Sequence, residues 1–168
     1  MSVRWAALVA VALTAPALAL DTPNERITLV GLTGVHVVVY DVGGEGERAG
    51  LAPRDLQADV EQRIRKAGLR PLTANEAIKS ASRPTLEVRV RLVPSAASPN
   101  LYLYSVELAL RQGIQLARNR TIESFAVTWS DPPDVGAVEA AARAATVREA
   151  IRVKVEQFVS AWLAANPD

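Results

Sequence analysis

Cysteine is absent from this chain of 168 residues. The absence excludes disulfides, thiolate zinc sites and a thiol nucleophile. Histidine occurs once, so a catalytic pair that needs an imidazole base has to use His36. Aromatic residues make up only 5% of the chain, and it contains one methionine. The fold therefore depends on a mainly aliphatic core, and we expect no metal and no cofactor.

Charge of either sign is also not in excess. The chain has 19 basic and 18 acidic residues, which gives a net charge of +1. A protein that grips nucleic acid or anionic lipid by electrostatics needs a basic surplus. The balance argues against both, and we expect no nucleic-acid partner.

The longest apolar run lies at the amino terminus. Arg4 precedes an apolar stretch over residues 5–14, Pro16 interrupts it, and Ala17-Leu18-Ala19 fits the small-x-small pattern of a cleavage site. A membrane-spanning helix needs about 20 apolar residues, more than this run provides. Residues 1–19 are therefore predicted to be a signal peptide, with a single domain over residues 20–168 that is periplasmic or secreted and has no transmembrane segment.

The first half of that domain is predicted to contain a strand, a helix and a second strand. Residues 35–42 are β-branched and nearly all apolar, which is typical of a strand covered on both faces. Residues 43–50 are rich in glycine and glutamate and predict a turn. Residues 53–67 predict a helix with an apolar stripe of Leu56, Val60 and Ile64. A short strand at 69–72 and a helical turn within 73–82 follow.

The second half predicts an antiparallel arrangement. Residues 85–93 alternate, with Leu86 and Val88 on one side and Glu87, Arg89 and Arg91 on a wet side. Residues 102–116 and 122–130 predict a long hairpin, which the prolines within 131–134 should end. A capping box at Thr146 predicts a final helix from Val147, and the alanine-rich stretch 136–145 either extends this helix or forms a separate one. Its apolar stripe should cover the same sheet face as the first helix, and contains Val147, Ile151, Val155, Phe158 and Trp162.

This order predicts an α+β fold. We expect four to five strands in a mixed or antiparallel sheet, with two main helices packed on one face, one after the first strand and one at the carboxyl terminus.

Four stretches together resemble a group of uncharacterised bacterial exported proteins of similar length. They are DLQADVEQRIRKAGL (55–69), PTLEVRV (84–90), TWS (128–130) and FVSAWLAANP (158–167). More distantly, the element order is similar to small α+β domains of envelope-assembly proteins, namely the amino-terminal domain of the Tol-Pal propeller protein and the curli-secretion lipoprotein. The resemblance implies an interaction or assembly module and carries over no catalytic residue. This chain differs from the lipoproteins in that it lacks the cysteine that carries the lipid.

Three patterns suggest chemistry, and each has a simpler structural interpretation. Gly44-x-Gly46-x-x-Ala49 is a loose dinucleotide pattern, but Pro53 opens the next helix too late and two glutamates would repel phosphate. His36 lies in a predicted strand, where Asp41 would point to the opposite face. Asp131 and Asp134 are too few to enclose calcium. We interpret these as a turn, a packed histidine and a proline turn with a helix cap at Asp134.

Aromatic side chains give the remaining candidate site. Tyr102 and Tyr104 share one face of the predicted hairpin, and Trp129 lies on its returning strand, so an exposed aromatic face here would bind a ligand, peptide or glycan. The favoured function is a non-catalytic envelope module that binds a protein or another envelope component. A small-molecule or glycan binder that uses these aromatic residues is the alternative, and a hydrolase is ranked last.

Overall fold

The structure is a computed structural model that describes residues 23–167, so the predicted signal peptide lies outside the described residues. Eleven elements follow one another along that part of the chain. They are α1 (Pro23–Arg26), a 3-10 turn (Ile27–Leu29), β1 (Gly34–Val39), α2 (Gly43–Arg48), α3 (Pro53–Lys66), β2 (Arg70–Pro71), α4 (Ala74–Lys79), β3 (Thr85–Pro94), β4 (Leu101–Leu116), β5 (Asn119–Glu139) and α5 (Arg143–Ala165).

The strands form one five-stranded mixed sheet in the order β2-β1-β3-β4-β5. β1 pairs in parallel with β2 and β3, and the β3-β4-β5 part is antiparallel. Val37 of β1 lies opposite Leu86 of β3, which in turn lies opposite Leu110 of β4. The predicted α+β class, the mixed sheet and the two main helices are confirmed.

The two long helices cover one side of the sheet, which we call the helix face. On α3 the predicted stripe of Leu56, Val60 and Ile64 is buried. The helices are joined at the surface by Arg148 of α5, which donates to Asp59 of α3 over 2.7 Å. As predicted, the sheet and α5 supply the rest of this core; the buried residues include Leu86, Val88, Val90, Leu92, Val147, Ile151, Val155 and Phe158. Trp162 is half-buried and packs against the same core.

The short helix α4 lies on the opposite side of the sheet. Parallel crossovers are right-handed. The chain moves outward from β1 to β2 through α3, and back from β2 past β1 to β3 through α4, so the two crossing helices fall on opposite faces. Ala77 of α4 is buried there, and it borders the same cavity as His36 of β1 and Phe125 of β5.

Two predicted turns are regular structure instead. Residues 43–48 form helix α2, in which the Cα of Gly46 packs so closely on Val42 that a Cβ would come within 2.7 Å of that side chain. β5 does not end at 131–134 but continues to Glu139. An edge strand tolerates Pro132 and Pro133, because one of its backbone sides makes no ladder hydrogen bonds, and a register shift between Val106 and Leu108 accommodates them.

The last helix also starts earlier than the capping box at Thr146 predicts. α5 begins at Arg143, and the amide of Thr146 already bonds to the carbonyl of Ala142. The alanines before Thr146 favour helix strongly enough to extend it by one turn. Residues 136–139, which belonged to the predicted alanine-rich stretch, lie in β5.

Candidate functional site

The side of the sheet opposite α3 and α5 is only partly covered, by α4 at the β1 end, and we call it the open face. The strand alternation puts His36, Glu87, Arg89, Arg111 and Phe125 on it. Arg89 and Arg91 are exposed, as their predicted wet side requires. Glu87 is a correction to that prediction, since it is only 3% exposed.

Glu87 is buried because three side chains close over its carboxylate. The hydroxyl of Tyr40 donates to it over 2.9 Å, and Arg89 donates over 2.8 Å. Arg111 forms a third contact, an ion pair of 3.6 Å. The guanidinium of Arg89 also lies 4.9 Å from the centre of the Tyr40 ring, and the hydrogen bond with Tyr40 is the main cause of the raised pKa of Arg89. One buried negative charge thus fixes two guanidinium groups on the open face.

Two arginine side chains lie against a second aromatic ring on the same face. The guanidinium carbons of Arg83 and Arg111 lie 5.8 and 5.7 Å from the centre of the Phe125 ring, which is 45% exposed. Arginine that stacks on an aromatic ring keeps its N–H donors available at the edge of the guanidinium plane. The two cations are therefore held in place and can still bind a carboxylate.

Arg83 is held in a costly backbone conformation. Its φ is +45°, the only positive value of a non-glycine residue among residues 23–167. Glycine or asparagine would adopt this conformation at lower cost, and such strain tends to cluster at functional sites. The strain favours a role for the Arg83 side chain at this position.

A groove of about 880 Å³ runs beside these arginines, between the loop after α4 and the tip of the β4-β5 hairpin. Its apolar lining includes Phe125 and Ile78, and Ile78 is 63% exposed. Lys79 and Arg83 supply positive charge at the rim, and Glu123 is the acidic side chain among the lining residues. A smaller cavity next to it shares Ile78, Arg83 and Phe125. The groove combines exposed apolar side chains with cations.

The aromatic residues predicted to bind a ligand lie on the helix face instead. Trp129 is 1% exposed and packs edge-to-face on Phe158, with ring centres 5.1 Å apart. Tyr102 and Tyr104 are half-buried against the core, and Arg143 stacks over the Tyr102 ring at 5.1 Å. Burial raises the pKa of Tyr104. The three residues do not form an exposed aromatic face; a ligand at the two tyrosines stays a prediction, and the buried ring of Trp129 has almost no surface to offer one.

The other candidate residues are placed in structural contacts. Nδ1 of His36 lies 3.0 Å from the carbonyl oxygen of Leu72, which ties β1 to the end of β2. Asp131 accepts from Lys154 of α5 over 2.8 Å. Asp134 lies within β5 opposite Val106, so the predicted helix cap at Asp134 is wrong. Within residues 23–167, no three histidine, aspartate or glutamate side chains are grouped to hold a metal ion.

The open face was not among the sites predicted from the sequence. The alternation in β3 was the available signal, since it put Arg89 and Arg91 on a side without a predicted covering helix. Tyr40 and Phe125 gave no such signal, because each is a single aromatic residue in its own segment.

The chain has a weak structural similarity to a solved protein. No protein-family description matches the sequence, and no curated protein matches it. Among solved structures, the chain is similar to the PelC dodecamer from Paraburkholderia phytofirmans, with 14% identity, a TM-score of 0.40, and coverage of 79% of this chain and 92% of that one. None of the helices in the described part of the chain has the length and apolar character to cross a membrane.

Proposed function

We propose that this chain is a non-catalytic binding module of the bacterial envelope that recognises an acidic protein through its open face. One observation carries the proposal: Arg83 and Arg111 converge on the exposed ring of Phe125, beside the groove that Ile78 lines. The pattern of residues 1–19 supports export, and the absence of cysteine supports a product without a lipid anchor.

Charge favours an acidic partner. The whole chain is nearly neutral, so the basic groups around Phe125 are a local concentration. Of the nearby acidic groups, Glu87 is buried and already shared by two arginines, Glu107 lies opposite Arg89 in β4, and Glu123 lies at the hairpin side of the groove. A guanidinium group can bind a carboxylate with two parallel hydrogen bonds, which adds geometric specificity. The cations on the open face therefore suit carboxylate side chains better than a neutral surface.

The exposed apolar side chains on the open face support a protein as the acidic partner. Phe125 and Ile78 are exposed next to the arginines. Interfaces between proteins commonly place aromatic and arginine anchors at the centre of the contact. A partner that offers both apolar and acidic side chains would fill the groove and pair with its rim.

Affinity capture from a cell-envelope extract tests the proposal when the bait is varied at the open face. The variant Arg83→Gly removes one guanidinium and also relieves the positive φ, so it should fold at least as well as the parent. Arg111→Glu reverses the second charge. We expect an acidic protein that is enriched by the parent chain and depleted by about ten-fold or more with the double variant, a loss of roughly 1.4 kcal/mol or more in binding free energy.

The control for the charge reversal is Arg65→Glu, which makes the same change as Arg111→Glu but on the exposed side of α3. It should leave the enrichment unchanged. Equal capture by the parent, the double variant and the control would contradict the open face as the binding site.

A second arm tests the absence of catalysis. His36→Asn should leave capture intact, because His36 is not among the residues that line the groove and its Nδ1 lies 3.0 Å from the carbonyl oxygen of Leu72. A chemical change in an extract component that the parent produces and the folded His36→Asn variant does not would overturn the non-catalytic proposal.

A further inference from the structure

β5 is the last strand of the sheet, and no other strand of residues 23–167 pairs with its outer side. Residues 121–127 form its hairpin half, which we call the edge segment. They pair with β4 in regular register from Glu123 to Val127. Ile122, Phe125 and Val127 are 39%, 45% and 53% exposed. The edge segment is thus a regular strand with apolar side chains and an open flank.

The unused backbone groups of the edge segment can be assigned. The amide of Gly113 in β4 bonds to the carbonyl of Ser82, on the β3 side of β4. Gly113 lies opposite Phe125, so these two residues form a non-hydrogen-bonded pair of the β4-β5 ladder. The N–H and C=O of Phe125 therefore point away from β4, to the open flank. By alternation, those of Glu123 and Val127 do the same.

The middle of β5 is protected against pairing with another strand, and the edge segment is not. Pro132 and Pro133 and two register shifts interrupt the strand beyond Val127. Prolines and bulges are means by which proteins block edge-to-edge pairing. From Glu123 to Val127 the edge segment contains neither, since the register shift near the hairpin turn lies before Glu123, and Glu123 is the single charged residue of 121–127. Its exposed backbone is left able to pair with another strand.

We propose that an extended segment of the partner, with acidic residues alternating with apolar ones, adds to β5 along residues 121–127 as a sixth strand. This inference rests on the proposed function and adds the way in which the partner binds. Acidic side chains of the added strand on the open face would lie next to Phe125, where the guanidinium groups of Arg83 and Arg111 converge. Apolar side chains on its other face would lie next to Ile122 and Ala126. Main-chain hydrogen bonds would supply affinity, and the alternating side chains specificity.

A second copy of this chain fits the same edge less well. Antiparallel self-pairing about Phe125 would set Glu123 of each copy against Val127 of the other. It would also bring the Arg83 and Arg111 groups of both copies together around two neighbouring phenylalanine rings, where four guanidinium groups meet two Glu123 carboxylates and an excess of positive charge remains. An acidic strand neutralises the same groups, which is why it is the favoured occupant.

Amide hydrogen exchange of the full chain with a synthetic peptide tests the proposal. The probe is Thr-Glu-Val-Glu-Val-Glu-Thr, and the control peptide has lysine in place of each glutamate. We expect the acidic peptide to slow exchange at the amides of Glu123, Phe125 and Val127. Those of Ser124 and Ala126, which already face β4, should change little. The lysine peptide should bind about ten-fold more weakly or worse.

Glu123→Pro is the decisive variant. It removes one outward N–H and no hydrogen bond to β4, and edge strands accept proline at such positions. Peptide affinity should fall about ten-fold, while Glu123→Ala, which removes only the charge, should bind as well as the parent or better. Unchanged thermal unfolding of both variants would verify their folding.

The outcomes separate this inference from the proposed function. If Arg83→Gly with Arg111→Glu abolishes peptide binding but Glu123→Pro does not, and the outward amides stay unprotected, strand addition is wrong and the open-face function stands. If binding is unaffected by the arginine changes, the proposed function fails as well. No binding of the acidic peptide at millimolar concentration, or protection of the same amides by self-association alone, would overturn the acidic sixth strand.

Discussion

The hydroxyl of Tyr40 donates to the buried carboxylate of Glu87 over 2.9 Å and joins the residue after β1 to the first part of β3. The bond spans 47 positions in the sequence. Two arginines complete the shell of Glu87, so one carboxylate organises an aromatic ring and two cations on the open face. The arrangement of the proposed binding surface therefore depends on a residue that a partner would hardly touch.

The first prediction follows from that dependence. Glu87→Gln keeps the shape of the side chain but removes its charge, and should lower the free energy of unfolding by about 1–3 kcal/mol, the range for hydrogen bonds to charged groups. The loss stays moderate because Arg89 and Arg111 are about half exposed and regain water. Urea unfolding measures it. Glu107→Gln, a neighbour on the open face, should change stability by less than about 0.5 kcal/mol; equal losses would mean that the Glu87 network is not a stabilising unit.

The second prediction concerns a buried ion pair on the helix face. Lys154 of α5 is 4% exposed and its ammonium group lies 2.8 Å from Asp131 of β5, while it also donates to the carbonyl of Pro132. Asp131→Ala leaves a buried cation without its counter-charge, and should cost about 3–5 kcal/mol.

The double variant Asp131→Leu with Lys154→Met is the comparison for that pair. Apolar replacement of both partners is often neutral or stabilising. Thermal unfolding should therefore place the double variant near the parent and well above Asp131→Ala. A double variant as unstable as the single one would show that the pair itself, and not the unpaired charge, determines the result.

Part of this fold can be predicted from the sequence, and the Glu87 network cannot. Periodicity alone located the core. The apolar stripe of Leu56, Val60 and Ile64 on α3 and the alternating apolar residues of β3 can be buried only if the two faces pack against each other. Periodicity failed for Glu87, since alternation assigns a face but not the side chains that close over it. Tyr40 follows β1 and Arg111 lies in β4, and only the sheet order brings them to Glu87.

Edge position explains a second failure. Pro132 and Pro133 end a strand in the sheet interior, where each removes a ladder hydrogen bond, but not at an edge. Sequence cannot tell whether a hairpin strand is an edge until the whole sheet is assembled. The edge segment could not be predicted as a binding site for the same reason. It was predicted as a strand, but its open flank depends on β5 being the last strand of the sheet.

The third prediction is a pH dependence at α4, which carries Ile78 to the groove. Glu76 accepts from the backbone and the hydroxyl of Thr73 in a capping box, and the backbone hydrogen bond is the main cause of its lowered pKa. A carboxyl with a lowered pKa contributes stability above its unfolded value of about 4.3, and the contribution is lost as pH falls through the folded value. Amide protection factors in α4 should therefore drop below about pH 4. Glu76→Gln should remove this local change, and the same drop in that variant would contradict the role of the cap.

The fourth prediction tests the contact between α5 and the sheet. Phe158 has no exposed surface and meets Trp129 edge-to-face, so Phe158→Ala would leave a cavity at the centre of the helix face. Such substitutions cost about 3–5 kcal/mol, a large part of the roughly 5–15 kcal/mol that stabilises a domain. The variant should melt far below the parent or fail to accumulate. Gln157→Ala, one position away on the exposed side of α5, should change stability little. Small and equal effects from both would mean that α5 stands away from the sheet in solution, which would free the helix face as a rival binding surface to the open face.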